Sequence, residues 1–220
     1  VRVGWPIGFT TGLEVGLFSL SALLMGRFGD DVLAAHQVAI QSASMTFMLP
    51  LGMAIATGVL VGQAAGRGDE AAVRRMGFMG IGVAVAFMVL TASLFAFAPR
   101  LVIGLYTDLS DPANSSMIAT AMSFLAIAAL FQLFDGVQVT AIGALRGLKD
   151  TRVPMFLTLV SYWVVGMPLG LLLAFELGVG ARGLWFGMVA GLATSAVLMT
   201  YRFARRSRPT RAGASAPTAV

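Results

Sequence analysis

Six stretches of this chain are apolar for long enough to cross a lipid bilayer as helices, which removes most folds open to a polypeptide of 220 residues. A hydrocarbon core about 30 Å thick takes about 20 helical residues at 1.5 Å each. Stretches of that length lie at about 6–27, 34–61, 76–98, 116–145, 154–175 and 183–203. In lipid, each backbone amide must find its partner within its own segment, so each stretch is predicted to be a helix. The expected fold is an all-α membrane protein, a six-transmembrane-helix bundle. Composition closes off the soluble alternative: 58% of residues are apolar and 11% charged, against about 45–50% and about 25% in ordinary soluble domains. With no cysteine and a single histidine, His36, disulfides, thiolate sites and histidine-rich metal clusters are excluded.

The basic residues then orient the bundle. Arg2, the group Arg67, Arg74 and Arg75, the group Arg146, Lys149 and Arg152, and Arg202, Arg205, Arg206, Arg208 and Arg211 fall on one side. Arg27, Arg100 and Arg182 fall on the other, a split of twelve against three. Such a bias predicts both termini of the chain in the cytoplasm, and an odd number of spans would scramble it. A pI near 10.7 would suggest nucleic acid in a soluble protein. Here the basic groups sit between apolar runs, so membrane lipid is the expected partner and nucleic acid is not. Residues 1–205 are expected to form the membrane lobe and residues 206–220 a disordered cytoplasmic tail. The opening Val1-Arg2-Val3 lacks an initiator Met and any signal-peptide pattern, which suggests a piece of a longer polypeptide.

Glycine and proline carry packing information. Gly4, Gly8, Gly12 and Gly16 form one ridge along the first helix, expected to lie against a neighbour. Gly58/Gly62, Gly166/Gly170 and Gly187/Gly191 repeat the small-xxx-small spacing that lets helix backbones approach. Pro50 and Pro168 are expected to interrupt spans two and five.

Only two of the ten carboxylates, Glu14 and Asp135, fall well inside a span. A charge at mid-bilayer costs at least ~2.5–3.5 kcal/mol, so such residues normally face a cavity and act there. Glu14 lies about 12 Å from Pro6 and Asp135 about 16 Å from Arg146 along their helices, both counted from the arginine-rich side. The two acids can therefore share a depth. Each has polar company: Gln132 and Gln138 beside Asp135, Thr10 and Ser21 beside Glu14, and a stripe of Gln37, Gln41 and Ser44 on span two. No Lys or Arg sits in a span interior to neutralise them. Two carboxyls held in oil favour taking up a proton or a metal cation, and oxygen ligands without sulfur or imidazole suit a hard cation such as sodium. That is the equipment of an ion-driven transporter.

Longer motifs add a family resemblance. Trp5-Pro6-Ile7-Gly8, Glu14-Val15-Gly16, Leu33-Ala34-Ala35-His36-Gln37, Met48-Leu49-Pro50-Leu51-Gly52 and Val61-Gly62-Gln63-Ala64 together resemble the multidrug and toxic compound extrusion (MATE) family, NorM type. So do Asp135-Gly136-Val137-Gln138 and the run from Ala144 to Pro154. The likeness covers nearly the whole chain up to about Arg205. It implies one lobe, the C-terminal one, of a twelve-helix transporter whose N-terminal six-helix lobe is a missing partner. It implies export of small cationic drugs or dyes against sodium or protons, with Glu14 and Asp135 as the coupling residues, sodium being the metal they would hold. It further implies a substrate cleft between lobes at the bacterial plasma (inner) membrane. Phe18, Phe131, Phe134, Tyr162 and Trp163 are candidate contacts by position, and Thr10, Gln41, Gln132 and Gln138 candidate cavity lining. No cofactor beyond the coupling ion is expected, and no enzyme activity.

Three other readings are weighed against this one. A lipid-linked saccharide flippase would line its cavity with Arg or Lys for the pyrophosphate, and the span interiors hold neither. An intramembrane hydrolase built on His36 with Ser42 or Ser44 lacks a Gly-x-Ser-x-Gly element, and His36 and Ser42 face different directions on one helix. A non-transporting scaffold or channel would leave the two acids without a coupled exchange.

Overall fold

The structure is a computed structural model and describes residues 4–208. Six helical segments in it are long and apolar enough to cross a membrane; five run past their apolar stretch at both ends, and the third starts before its stretch and stops at Phe97. The first span is α1 (Gly4–Met25), closed by a 3-10 turn at Gly26–Phe28. The second, α2 (Asp30–Gly66), is 37 residues long and starts with Asp30 and Asp31, whose charges complement the helix dipole. The third is α3 (Glu70–Phe97), followed by the short α4 (Pro99–Ile103). In the loop beyond, the Ser110 hydroxyl and amide both donate to Asp108 and hold that carboxyl below the usual aspartate range. The fourth span is α5 (Ser115–Gly147), and the sixth is α8 (Ala181–Arg206).

Span five is different in kind. It is built from α6 (Arg152–Leu159), a π-helical stretch Val160–Gly166, α7 (Met167–Leu171) and a second π stretch Leu172–Glu176. Pro168, at the start of α7, has no amide hydrogen to give, and the wider turns on either side accommodate the lost bond. Pro50 behaves otherwise: the expected interruption is absent, and α2 runs through it without a break. One missing hydrogen bond does not end a helix whose other turns must stay paired in lipid.

Two turns on the same face share a backbone solution. At the end of α2, Asp69 N–H donates to the Ala64 carbonyl and Gly68 N–H to the Ala65 carbonyl, both at 3.1 Å. At the end of α5, Asp150 N–H donates to Leu145 at 3.0 Å and Lys149 N–H to Arg146 at 2.9 Å. Both are Schellman closures, which require a left-handed residue. Gly68 supplies it at φ +72° without penalty, whereas Lys149 adopts φ +58°. The aspartate that follows each turn has its own task. Asp69 caps α3 by accepting from Ala72 N–H at 2.8 Å. Asp150 accepts from Arg202 at 2.8 Å and Arg206 at 3.3 Å on α8.

That pairing sits in the last turns of α8, where the tail is expected to begin. Arg205 and Arg206 belong to the last turn of α8, and Ser207 just beyond is buried. Basic groups at a helix C-terminus are favoured by its dipole, and Asp150 anchors one of them. The remainder of the expected tail, and the opening Val1-Arg2-Val3, lie outside the described residues.

The bundle is organised around α5, which packs on α2, α3 and α8. One apolar cluster gathers Phe124, Leu125, Phe131 and Trp185, and a second, nearer the arginine-rich face, gathers Val61, Leu145, Met199 and Phe203. Between α2 and α5 the helices meet backbone to backbone. A Cβ on Gly58 would stand 2.8 Å from the Gly143 carbonyl oxygen, and one on Gly62 3.4 Å from that of Gly147. Gly166 lies equally close to Gly187 and Gly191. The ridge on α1 does not follow this pattern. Gly4, Gly8 and Gly12 meet nothing within 4 Å, and only Gly16 finds a neighbour, the Trp163 ring. The expected packing of that ridge is therefore not found: among the described residues it faces open space.

Candidate cation site between the first and fourth spans

The two acids within the spans meet across one cavity. α1 brings Glu14 and Phe18 to it, and α5 brings Phe131, Asp135, Gln138 and Val139. α2 contributes the stripe Ile40, Ala43, Ser44 and Phe47, and the first π stretch of span five contributes Tyr162. The volume is about 200 Å³. Glu14 and Asp135 are both half-buried, so their oxygens are reached from the cavity rather than sealed in the core. They are near enough for the charge on one to be felt by the other. Gln138, itself buried, donates Nε2–H to Glu14 Oε1 at 3.2 Å. Phe18 and Phe131 close one wall edge to face, with centroids 6.1 Å apart.

Not every polar or aromatic candidate arrives there, and the misses share a cause. Gln41, Gln132, Phe134 and Trp163 each sit one residue from a lining position: Ile40, Phe131, Asp135 and Tyr162. One residue is about 100° of rotation on a helix, enough to leave the cavity. Gln41 is exposed. Gln132 turns into the core and accepts from Thr46 Oγ1 at 2.6 Å. Phe134 packs against the apolar cluster. Trp163 donates Nε1–H to the Leu13 carbonyl at 3.4 Å, which ties span five to α1 just behind Glu14. Thr10 keeps to its own helix, donating to the Pro6 carbonyl at 2.8 Å, and buried Ser21 lies outside the cavity lining.

The sequence left Ile40, Ala43, Phe47 and Val139 of the lining, and Arg146 beyond it, unnoticed. Phe47 completes the i, i+3, i+4, i+7 stripe that starts at Ile40, a signal present in the sequence once one member is known. Arg146 is half-buried in the last turn of α5, and its charge reaches Glu14. A basic group thus bears on the site from the arginine-rich end, although it is not part of the cavity wall.

Chemically, the arrangement offers two carboxyls, an amide, a hydroxyl on Ser44 and the phenol of Tyr162. Among the described residues no group of three or more His, Cys, Asp or Glu side chains converges as a metal cage would. The cavity's polar groups are oxygen and amide groups, without sulfur or imidazole, among the residues that line it. Ser42 and His36 form no catalytic pair. The Ser42 hydroxyl donates to the Val38 carbonyl at 2.8 Å and lies 3.2 Å from the Tyr106 hydroxyl, while His36 stacks edge-on against Trp185.

Comparison with known proteins now places the chain. The family model MatE matches residues 6–172. The chain belongs to the MatE family. Within it, the chain is 54% identical over 211 residues to a probable multidrug resistance protein NorM of Deinococcus radiodurans, covering 96% of this chain and 47% of that protein. It is 49% identical over 205 residues to a probable NorM of Burkholderia pseudomallei, covering 93% of this chain and 44% of that one. The crystal structure of the eukaryotic MATE transporter AtDTX14 superposes with a TM-score of 0.81 over 94% of this chain and 47% of that one, at 21% identity. At that identity the likeness is one of fold. This MatE chain spans about half the length of the curated relatives it matches.

Proposed function

We propose that this chain forms one six-helix lobe of a twelve-helix secondary transporter that exports cationic organic compounds in exchange for sodium or protons, with Glu14 and Asp135 holding the coupling ion. The observation that carries the reading is the convergence of the two acids, from α1 and α5, on one cavity with Gln138 bonded to the first. Charged groups at this depth are retained where they serve an ion path. The volume narrows the role: about 200 Å³ is below the about 300–1,000 Å³ of drug-sized pockets. The lobe alone accommodates a cation, and the drug site is completed by the partner lobe. That lobe would cover the open Gly4–Gly8–Gly12 ridge, and relatives twice as long have room for it. Phe18, Phe131 and Tyr162 then offer π faces to a cationic substrate at the cavity mouth. The name NorM on the bacterial relatives supports multidrug efflux and a plasma-membrane setting, and the basic bias supports cytoplasmic termini.

The flippase reading is disfavoured by the same wall, which presents two carboxylates and no Lys or Arg to a pyrophosphate. Dye efflux from vesicles of the full-length protein, with sodium and pH gradients imposed separately, tests the proposal. Efflux should follow one of the gradients and be abolished by Glu14→Gln and by Asp135→Asn, with both variants still inserted and folded. Undiminished efflux in the two variants sinks the coupling assignment. Flux that ignores thermodynamic coupling ratios identifies a channel instead.

A further inference from the structure

We infer that the arginine-rich ends of spans five and six form a binding site for one anionic phospholipid, held as a bound ligand rather than carried as cargo. A cavity of about 530 Å³ opens there between α6 and α8, within the size range of ligand pockets and far from the two acids. Its floor is apolar, made by Val153, Leu157 and Leu198, and its rim carries Arg202, Arg205 and Arg206 beside the Tyr201 ring.

The rim is built, not accidental. Asp150 sits behind it with its side chain 5% exposed, and its Oδ2 receives both Arg202 and Arg206. The Arg202 and Arg206 side chains remain 29% and 57% exposed. One carboxylate therefore orients two guanidiniums and leaves their outer N–H groups available for a planar phosphate. Arg205 lies over the Tyr201 ring, 5.8 Å from its centroid, and among the described residues no carboxylate pairs with it. Three cations face one anion, so the rim attracts negative charge.

The floor selects the source of that charge. Val153, Leu157 and Leu198 lie on helices apolar enough to cross a membrane, so the cavity straddles the boundary between headgroups and hydrocarbon. A free phosphate gains nothing from such a floor, whereas a lipid places its phosphate on the arginines and its first acyl carbons on the leucines and valine. Basic pockets between transmembrane helices at this level bind lipid head groups by this logic. The inference stands on these side chains alone and is independent of the transport reading and of the orientation of the chain.

The test uses the full-length transporter, stripped of lipid in neutral detergent and titrated with phosphatidylglycerol or phosphatidylcholine while bound lipid is counted by native mass spectrometry. One phosphatidylglycerol should be retained at this site, with phosphatidylcholine at least about fivefold weaker. Arg205→Gln should weaken retention about fivefold and Arg202→Gln with Arg205→Gln about 20-fold, the scale set by one basic residue at an anionic surface. Arg205→Lys should keep most of it. Arg67→Gln, on the same face outside the cavity, should leave it unchanged. If the double variant does not fold, Arg205→Gln alone decides. Equal retention of the neutral lipid, an equal loss in Arg67→Gln, or displacement by millimolar inorganic phosphate would each overturn the inference.

Discussion

The seam between α2 and α5 and the wall that α1 and span five raise around the cavity are made by opposite means. In the seam, Gly58, Gly62, Gly143 and Gly147 bring two backbones together with no side chain between them. Around the cavity, α1 touches its neighbours lightly, span five widens into π turns, and polar side chains occupy the gap. The seam gains from close van der Waals contact, which is what holds helices together where lipid is as apolar as leucine. The wall forgoes that contact and leaves a cavity of about 200 Å³. Rigidity and vacancy are thus assigned to different helix pairs, and α5 belongs to both.

The comparison breaks most visibly at Gly143. A Cβ there overlaps the Ala54 backbone carbonyl, so Gly143→Ala should cost about 1–3 kcal/mol as overpacking and lower the melting temperature of the solubilised protein. Gly82→Ala on α3, where a Cβ meets nothing within 4 Å among the described residues, should stay within about 0.5 kcal/mol; equal losses at the two glycines would erase the distinction between the packed seam and an open helix face. Gln138→Leu sharpens the other side. It leaves Glu14 without its amide donor, at a stability cost of about 1–3 kcal/mol, and should reduce efflux at least tenfold. Efflux retained in that variant would remove Gln138 from the site. Thr46→Val takes away the 2.6 Å bond to Gln132, outside the cavity. It should cost about 1 kcal/mol in a melting experiment and leave transport rates alone. A gain rather than a loss is expected at Lys149→Gly, which relieves a left-handed lysine and should raise stability by up to about 1 kcal/mol. A drop there would mean that the lysine side chain contributes more than its backbone costs.

The fold was legible because lipid leaves so few choices. Once six apolar stretches are counted, helix is the structure each must adopt, and the small-xxx-small pairs at Gly58/Gly62 and Gly166/Gly170 name seams that the bundle forms. The ridge on α1 misled for a clear reason: spacing says that a backbone can be approached, not that anything in the same chain approaches it. The π stretches around Pro168 were illegible, since a proline announces a lost hydrogen bond and not how neighbouring turns absorb it. Pro50, with the same local chemistry, leaves α2 unbroken. The meeting of Glu14 and Asp135 at one cavity was legible from the cost of their burial alone. Their company was harder to read, because Gln41, Phe134 and Trp163 miss the cavity by one residue each, and a boundary uncertain by a few residues cannot resolve 100° of rotation. Arg146 was read as a loop residue, and only the length of α5 carries it into the bundle.

That length has a mechanical consequence on the other side of the seam as well. At 37 residues, α2 spans about 55 Å, nearly twice the hydrocarbon thickness it crosses. Pivoting such a rod by about 10° about its middle sweeps each tip through about 5 Å. A change in the cavity at the level of Ile40 to Phe47 would then register as a displacement of the Gly66–Asp69 turn in the aqueous layer. The long helix would work as a lever whose handle lies outside the membrane, where a spectroscopic label can follow it.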